Sequence, residues 1–150
     1  MIIRLAKQED FEKVIEIDKL SFADPWDTEF LERLSKDIFL VFEDQDIYGF
    51  LIAGCCYKNT SATILKIAVH PNHRRKGIAA NLLLKMLDIL SDRHIDEVDV
   101  IVSENFRPAI CLYRKFGFKV TSTIPLTSEN DYFCVLRLPI ALALSTGNIC

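Results

Sequence analysis

The chain has 150 residues, half of them hydrophobic and 26% charged, with a formal net charge of −3 at pH 7. That length suits one domain with a proper core, and the slight acidic balance argues against a general nucleic-acid binder. No apolar run approaches the roughly 20 residues that cross a bilayer, and Met1 leads straight into Ile2-Ile3-Arg4-Leu5 with no signal-peptide layout. A cytoplasmic chain without membrane or nucleic-acid partners is expected. The five cysteines are Cys55, Cys56, Cys111, Cys134 and Cys150. Their number is odd, none forms a Cys-x-x-Cys pair, and four lie in apolar segments where a thiol acts as a small hydrophobe. Neither a disulfide framework nor a metal site is expected.

In chain order, residues 2–5 read as a first strand. Gln8-Glu9-Asp10 opens a helix with acid in its first turn, where the dipole favours it. Phe11, Val14, Ile15, Asp18 and Phe22 mark its faces. Residues 21–27 form a loop in which Pro25 stops any helix. Asp27 or Thr28 caps a second helix over 29–36. Residues 38–43 and 47–58 are the arms of a hairpin turned at 44–46. A turn at 59–61 leads to a buried strand, a basic turn and a helix within 62–90. Residues 97–102 alternate as a strand. Pro108 suits the first turn of a helix over 109–116, and Gly117 is its stop. Residues 118–124 and 132–138 are the last strands, and 139–150 is a tail with no assigned structure. Antiparallel hairpins followed by a parallel crossover make a mixed α/β sheet with helices on both faces.

The stretch 62–90 organises the rest. An apolar run, Ile64 to Val69, meets the polar turn His70-Pro71-Asn72-His73, then Arg74, Arg75 and Lys76. Gly77 follows, and then apolar residues at every fourth position: Ile78, Leu82, Met86 and Leu90. The first amides of a helix lack internal partners and carry its partial positive charge. With a glycine to admit a ligand and three cations beside it, the turn reads as a phosphate or pyrophosphate site.

Arg74 to Ala79 fits R-x-x-G-x-A, and here the sequence resembles the GNAT family of N-acetyltransferases, whose acetyl-CoA signature is Q/R-x-x-G-x-G/A between a strand and a long helix. The resemblance implies a GNAT-like, mostly antiparallel sheet with a central β-α-β unit that binds acetyl-CoA, over a single domain at 1–138. It implies a cofactor site at Arg74, Arg75, Lys76, Gly77, Ile78, Ala79 and Ala80, with the backbone amides from Arg75 to Ala80 holding the pyrophosphate. It also implies that the strand edge at Ile67, Ala68 and Val69 pairs with the pantetheine arm and stabilises the oxyanion with an amide. A second block, Ala109 to Phe118, resembles the family's N-x-x-A-x-x-L-Y-x-x-x-G-F. In it Tyr113 takes the position of the residue that lies beside the CoA sulfur and protonates the departing thiolate. A phenol is protonated at pH 7 and suits that task.

Ser21-Phe22-x-x-Pro25-Trp26, followed by Phe30, resembles the loop of the ribosomal-protein-alanine N-acetyltransferase (RimI) type, which lies over the peptide side of the site. Pro25 and Trp26 are therefore the implied substrate-binding residues; a plug for the end of the sheet is the other reading of Trp26. This type carries a glutamate base on the strand after the long helix. Counting back from Asn105 places Val100 there, and counting back from Tyr113 places Ile101, because Phe106 falls on the asparagine position. Both are apolar. Asp99 and Glu104 are the nearby acids; Glu104 is the candidate base, and solvent exposure is the plainer expectation for both. His70 and His73 have no metal-ligand spacing. The expected activity is acetyl transfer from acetyl-CoA, without a metal, to the α-amine of a protein or peptide N-terminus, a ribosomal protein among them. The alternatives are a small-molecule amine (polyamine, amino acid or antibiotic) as acceptor, or a CoA-binding module with little turnover. Either a monomer or a dimer fits.

Overall fold

A computed structural model describes residues 1–34, 37–125 and 132–141. The elements are β1 (Ile2–Leu5), α1 (Phe11–Ser21), α2 (Thr28–Leu34), β2 (Ile38–Asp44), β3 (Asp46–Cys56), β4 (Ser61–Val69), α3 (Ile78–Asp92), β5 (Glu97–Ser103), α4 (Arg107–Lys115), β6 (Lys119–Pro125) and β7 (Tyr132–Pro139). The strands follow the order β1-β2-β3-β4-β5-β7-β6. β4 and β5 are parallel and joined by α3, whereas β1–β2, β2–β3, β5–β7 and β6–β7 are antiparallel. This is the mixed, mostly antiparallel α/β sheet expected. The backbone groups into two compact units. One holds Met1–Cys55 with Leu65–Ile89, and the other holds Cys56–Ile64 with the chain from Leu90 on.

In the first unit, β2 and the middle of β3 are buried at consecutive positions, Ile38–Phe42 and Phe50–Ala53. Strands covered on both faces show this rather than alternation. Gln45, at φ 70, closes their turn. Phe11, Val14 and Ile17 of α1 join Phe39, Val41 and Phe50 in one cluster, with the Phe11 and Phe39 rings stacked 5.4 Å apart. Arg4 of β1 holds both Asp10 oxygens, at 2.7 and 2.9 Å, and reaches Glu43 of β2 at 3.1 Å. Those hydrogen bonds keep the Asp10 carboxyl below its ordinary range against the opposing effect of burial. The stability this gives is present above the ordinary value of about 4 and is lost as pH falls through the lowered one.

The four predicted contact residues of α3 are all buried. One glycine makes room for Ile78 and Leu82. A Cβ on Gly49 would lie 3.0 Å from Ile78 Cγ2 and 3.2 Å from the Ala68 carbonyl oxygen. Gly49→Val is therefore expected to destabilise the protein by about 2 kcal/mol through overpacking, read as a lower midpoint in urea with an unchanged slope.

In the second unit, Ser61–Ile64 of β4 pairs with Glu97–Val100 of β5. β7 alternates, burying Cys134, Leu136 and Leu138. Gly117, at φ 97, ends α4 in the left-handed region that favours glycine. β6 is exposed along its length and carries a register shift between Val120 and Ser122, which blunts its free edge.

Several boundaries move. Ser21 belongs to α1 rather than to the loop. α2 begins at Thr28 because the Asp27 carboxylate accepts the Phe30 amide at 2.8 Å; the end expected at residue 36 lies outside the described residues. β3 stops at Cys56, since a turn over 57–60 with Thr60 at φ 50 takes the place of its last expected residues. α4 starts at Arg107, with Pro108 in its first turn. Of the four described cysteines Cys134 is buried, Cys55 is half-buried, and Cys56 and Cys111 are exposed, because apolar neighbours in sequence do not fix which face a residue occupies. Past Leu138, Pro139 still belongs to β7, and buried Ile140 donates its amide to the Asp96 carbonyl at 2.9 Å. Residues 142–150 of the expected tail lie outside the described residues.

Candidate functional site

The basic turn and its flanking elements lie in the first unit. After β4 the chain makes a short helical turn, Pro71–His73. His70 Nδ1 accepts the Asn72 amide at 3.1 Å, and the His70 amide donates to the Tyr48 carbonyl at 2.8 Å. The His73 ring stacks on Tyr48 at 3.6 Å. Loss of solvation, then the positive charges of Lys76 and His70, push the His73 imidazole below its ordinary value. Both histidines thus shape the turn.

Arg75 (φ 63) and Gly77 (φ 79) are left-handed. Arg75 accepts this at a cost of about 1–2 kcal/mol, the kind of strain kept where backbone groups must be aimed. The Asn81 amide closes the first α3 hydrogen bond onto the Gly77 carbonyl at 3.0 Å. The amides of Ile78, Ala79 and Ala80 precede it, at the positive end of the helix. A Cβ on Gly77 would meet nothing within 4 Å, so the backbone there is open. The Arg75 and Lys76 side chains are exposed. Arg74 is used differently: its Nε donates to the Val69 carbonyl at 3.0 Å and a terminal nitrogen donates to Ser21 Oγ at 3.3 Å. Its head group braces the end of β4 against the end of α1.

The pairing of β4 with β5 covers only Ser61–Ile64. Ile67, Ala68 and Val69 lie beyond it, on the stretch of strand that runs into the basic turn.

Pro25 and Trp26 sit between α1 and α2, Pro25 exposed and Trp26 half-buried. Their loop is organised by Asp18, read from the sequence only as part of a helix face, and by Lys66, which no local pattern singled out. Asp18 is 1% exposed. Its carboxylate accepts the Trp26 amide at 2.8 Å and the Lys66 ammonium at 2.7 Å. The Lys66 ammonium also donates to the Asp24 carbonyl at 3.1 Å and lies 4.2 Å from the centre of the Trp26 ring and 4.8 Å from that of Phe22. Leaving either charge of such a buried pair without its partner costs about 3–5 kcal/mol. The signal was present as a lone charge on an apolar helix face and another inside an apolar strand, but nothing local pairs them. Trp26 also packs on Phe30, ring centres 4.9 Å apart.

The second unit carries the other expected residues. Tyr113 is 2% exposed, with its ring 5.3 Å from Phe118. Burial raises the Tyr113 hydroxyl well above its ordinary value and keeps it protonated. Phe116 and Phe118 are buried. Val100 is 4% exposed and Ile101 52% exposed, so neither counted position of the base carries a carboxylate. The two acids nearby are not simply solvated. Asp99 accepts the Thr63 hydroxyl at 2.8 Å and lies 3.8 Å from Arg137. Glu104, in the turn after β5, accepts a hydrogen bond from the Tyr132 hydroxyl, which raises that phenol. Among the described residues no group of His, Cys, Asp and Glu is arranged to hold a metal ion, and no helix is long and apolar enough to cross a membrane.

The family model of the Acetyltransferase (GNAT) family matches residues 5–118. The chain belongs to this family. It is an acetyl-CoA-dependent acetyltransferase, an acyltransferase whose acetyl donor is the thioester of CoA. An acetyltransferase of Pectobacterium atrosepticum is 29% identical over 133 residues, 84% of this chain and 93% of its own. Among solved structures, the ribosomal-protein-alanine N-acetyltransferase of Escherichia coli superposes with a TM-score of 0.80 at 23% identity, over 93% of each chain. Naa50 of Arabidopsis thaliana, solved with the bisubstrate analogue CoA-Ac-MVNAL, gives 0.79 at 20% identity, over 91% of this GNAT chain and 97% of its own. These two likenesses establish the fold.

Proposed function

We propose that this GNAT chain acetylates the α-amine of a protein or peptide N-terminus. The amine nitrogen attacks the thioester carbonyl, the carbon–sulfur bond breaks, and the CoA sulfur leaves with a proton. In this reading the amides of Arg75, Lys76, Gly77, Ile78, Ala79 and Ala80 hold the pyrophosphate, with the cations of that turn adding charge. The backbone at Ile67, Ala68 and Val69 pairs with pantetheine, and one of its amides holds the oxyanion. Tyr113 gives the proton to sulfur, and Pro25 and Trp26 face the acceptor. Residues 1–138 act as one catalytic domain.

The observation that carries the choice of acceptor is the apolar pair Val100 and Ile101 where a glutamate base would stand. An α-amine with a pKa of about 7.7–8.0 is already roughly 10–15% neutral at pH 7, whereas lysine is neutral only about once in 2,500. A site with a weak base therefore serves an N-terminus over a lysine by more than about two orders of magnitude. Glu104, or a water held by backbone carbonyls, is the remaining route for the proton. The proline- and tryptophan-bearing loop and the names of the two structural neighbours point the same way.

The test is thiol release from acetyl-CoA with short peptides that begin with Ala or Ser, against N-terminally blocked peptides carrying lysine. The expected result is at least about a hundredfold preference for the free N-terminus at pH 7, with a rate that rises with pH as the α-amine deprotonates. Preference for lysine, or a rate limited by a separate protein base, would refute the assignment. Turnover of small amines alone would favour the small-molecule reading. CoA binding without thiol release on any amine would leave a binding module.

A further inference from the structure

Lys66 sits mid-strand in β4 with Leu65 and Ile67 on either side. The single ammonium addresses four points of the segment that ends α1 and forms the following loop: the Asp18 carboxylate, the Phe22 ring, the Asp24 carbonyl and the Trp26 ring. Asp18 adds a fifth tie by accepting the Trp26 amide. The intervening stretch, Phe22 to Trp26, lies between α1 and α2 in neither helix nor strand. Its shape follows from these contacts. Arg74 adds a second brace at the start of the same segment, through Ser21.

We propose that Lys66 is a positioning residue for the acyl acceptor: its ammonium, neutralised by buried Asp18, fixes the ring of Trp26 and the chain around Pro25 in the form that receives the amine. This rests on the assignment of Pro25 and Trp26 to the acceptor side. A charge desolvated against carboxylate and ring faces holds geometry more tightly than packing alone, because each contact weakens once water enters. Lys66 touches neither donor nor acceptor in this account; it acts through Trp26.

The chain has one tryptophan, so emission excited beyond the absorption of the tyrosines reports this loop alone. Lys66→Met removes the charge and keeps the apolar stem. The expected result is a rise of about tenfold or more in KM for the peptide acceptor, equivalent to about 1.4 kcal/mol, with KM for acetyl-CoA unchanged within about twofold. Emission should move to the red as the ring becomes wetter. Asp18→Asn, which leaves an acceptor for the Trp26 amide, should move both readings the same way, and Lys66→Arg should restore part of the loss. A second measurement needs no variant: saturating the wild-type chain with acceptor should change Trp26 emission, whereas CoA alone should change it much less. Unchanged acceptor KM and emission in a folded Lys66→Met chain would overturn the proposal, as would a wild-type emission blind to the acceptor. If the wild type accepts only small amines, the peptide assignment fails separately, and the same comparisons made with that amine still decide the role of Lys66.

Discussion

Gly77→Glu is expected to abolish CoA binding, with at least a hundredfold loss of affinity, while the fold persists. Nothing in the protein lies within 4 Å of where the new Cβ would stand, so the substitution meets no internal clash. The backbone at φ 79 adds strain of about 1–2 kcal/mol, which a domain of this size survives. The damage falls on the ligand. A carboxylate at the mouth of an anion site opposes the pyrophosphate and fills the space through which it reaches the amides. Calorimetric titration of CoA checks this directly. Gly77→Ala serves as control: it carries the same backbone strain and little bulk, so its loss should be several-fold smaller. Unchanged CoA affinity in Gly77→Glu would show that the phosphates bind elsewhere.

Tyr113→Phe should lower kcat by about a hundredfold, the lower end of what a well-placed proton donor contributes, with KM for acetyl-CoA nearly unchanged. The substitution suits the question because Tyr113 is buried against Phe118 and a phenylalanine fills almost the same volume. A residue that only packs would leave kcat intact. The environment favours the donor role in one respect: burial disfavours the phenolate, so the proton stays on oxygen past the usual value near 10. Activity should accordingly show no fall at the ordinary tyrosine titration. Wild-type activity in Tyr113→Phe would return this tyrosine to the core and leave the thiolate to take its proton from water.

The basic turn shows how far a linear reading reaches. Ile78, Leu82, Met86 and Leu90 lie four apart and all four are buried, because residues at that spacing share one face of a helix whatever surrounds it. Gly77 was legible for a similar reason: its open backbone and left-handed φ are properties of a single position. The apolar character of the two counted positions, Val100 and Ile101, was legible as well, since such a side chain is apolar in any fold.

Other features depended on partners far along the chain. Asp18 and Lys66 are 48 residues apart, and each looks like an isolated charge until β4 is laid beside α1. Arg74 reads as part of a cationic cluster, yet its guanidinium donates to Ser21, 53 residues earlier, and to the Val69 carbonyl. Gly49 has no local reason to be glycine; Ile78 supplies it from the opposite side. The sequence by itself therefore determined the strand–turn–helix, the glycine at its turn and the family, all of which rest on neighbours a few residues apart. The tertiary structure decided which charges are neutralised and what holds Trp26, because a buried ion's partner is chosen by geometry in space and not by spacing along the chain.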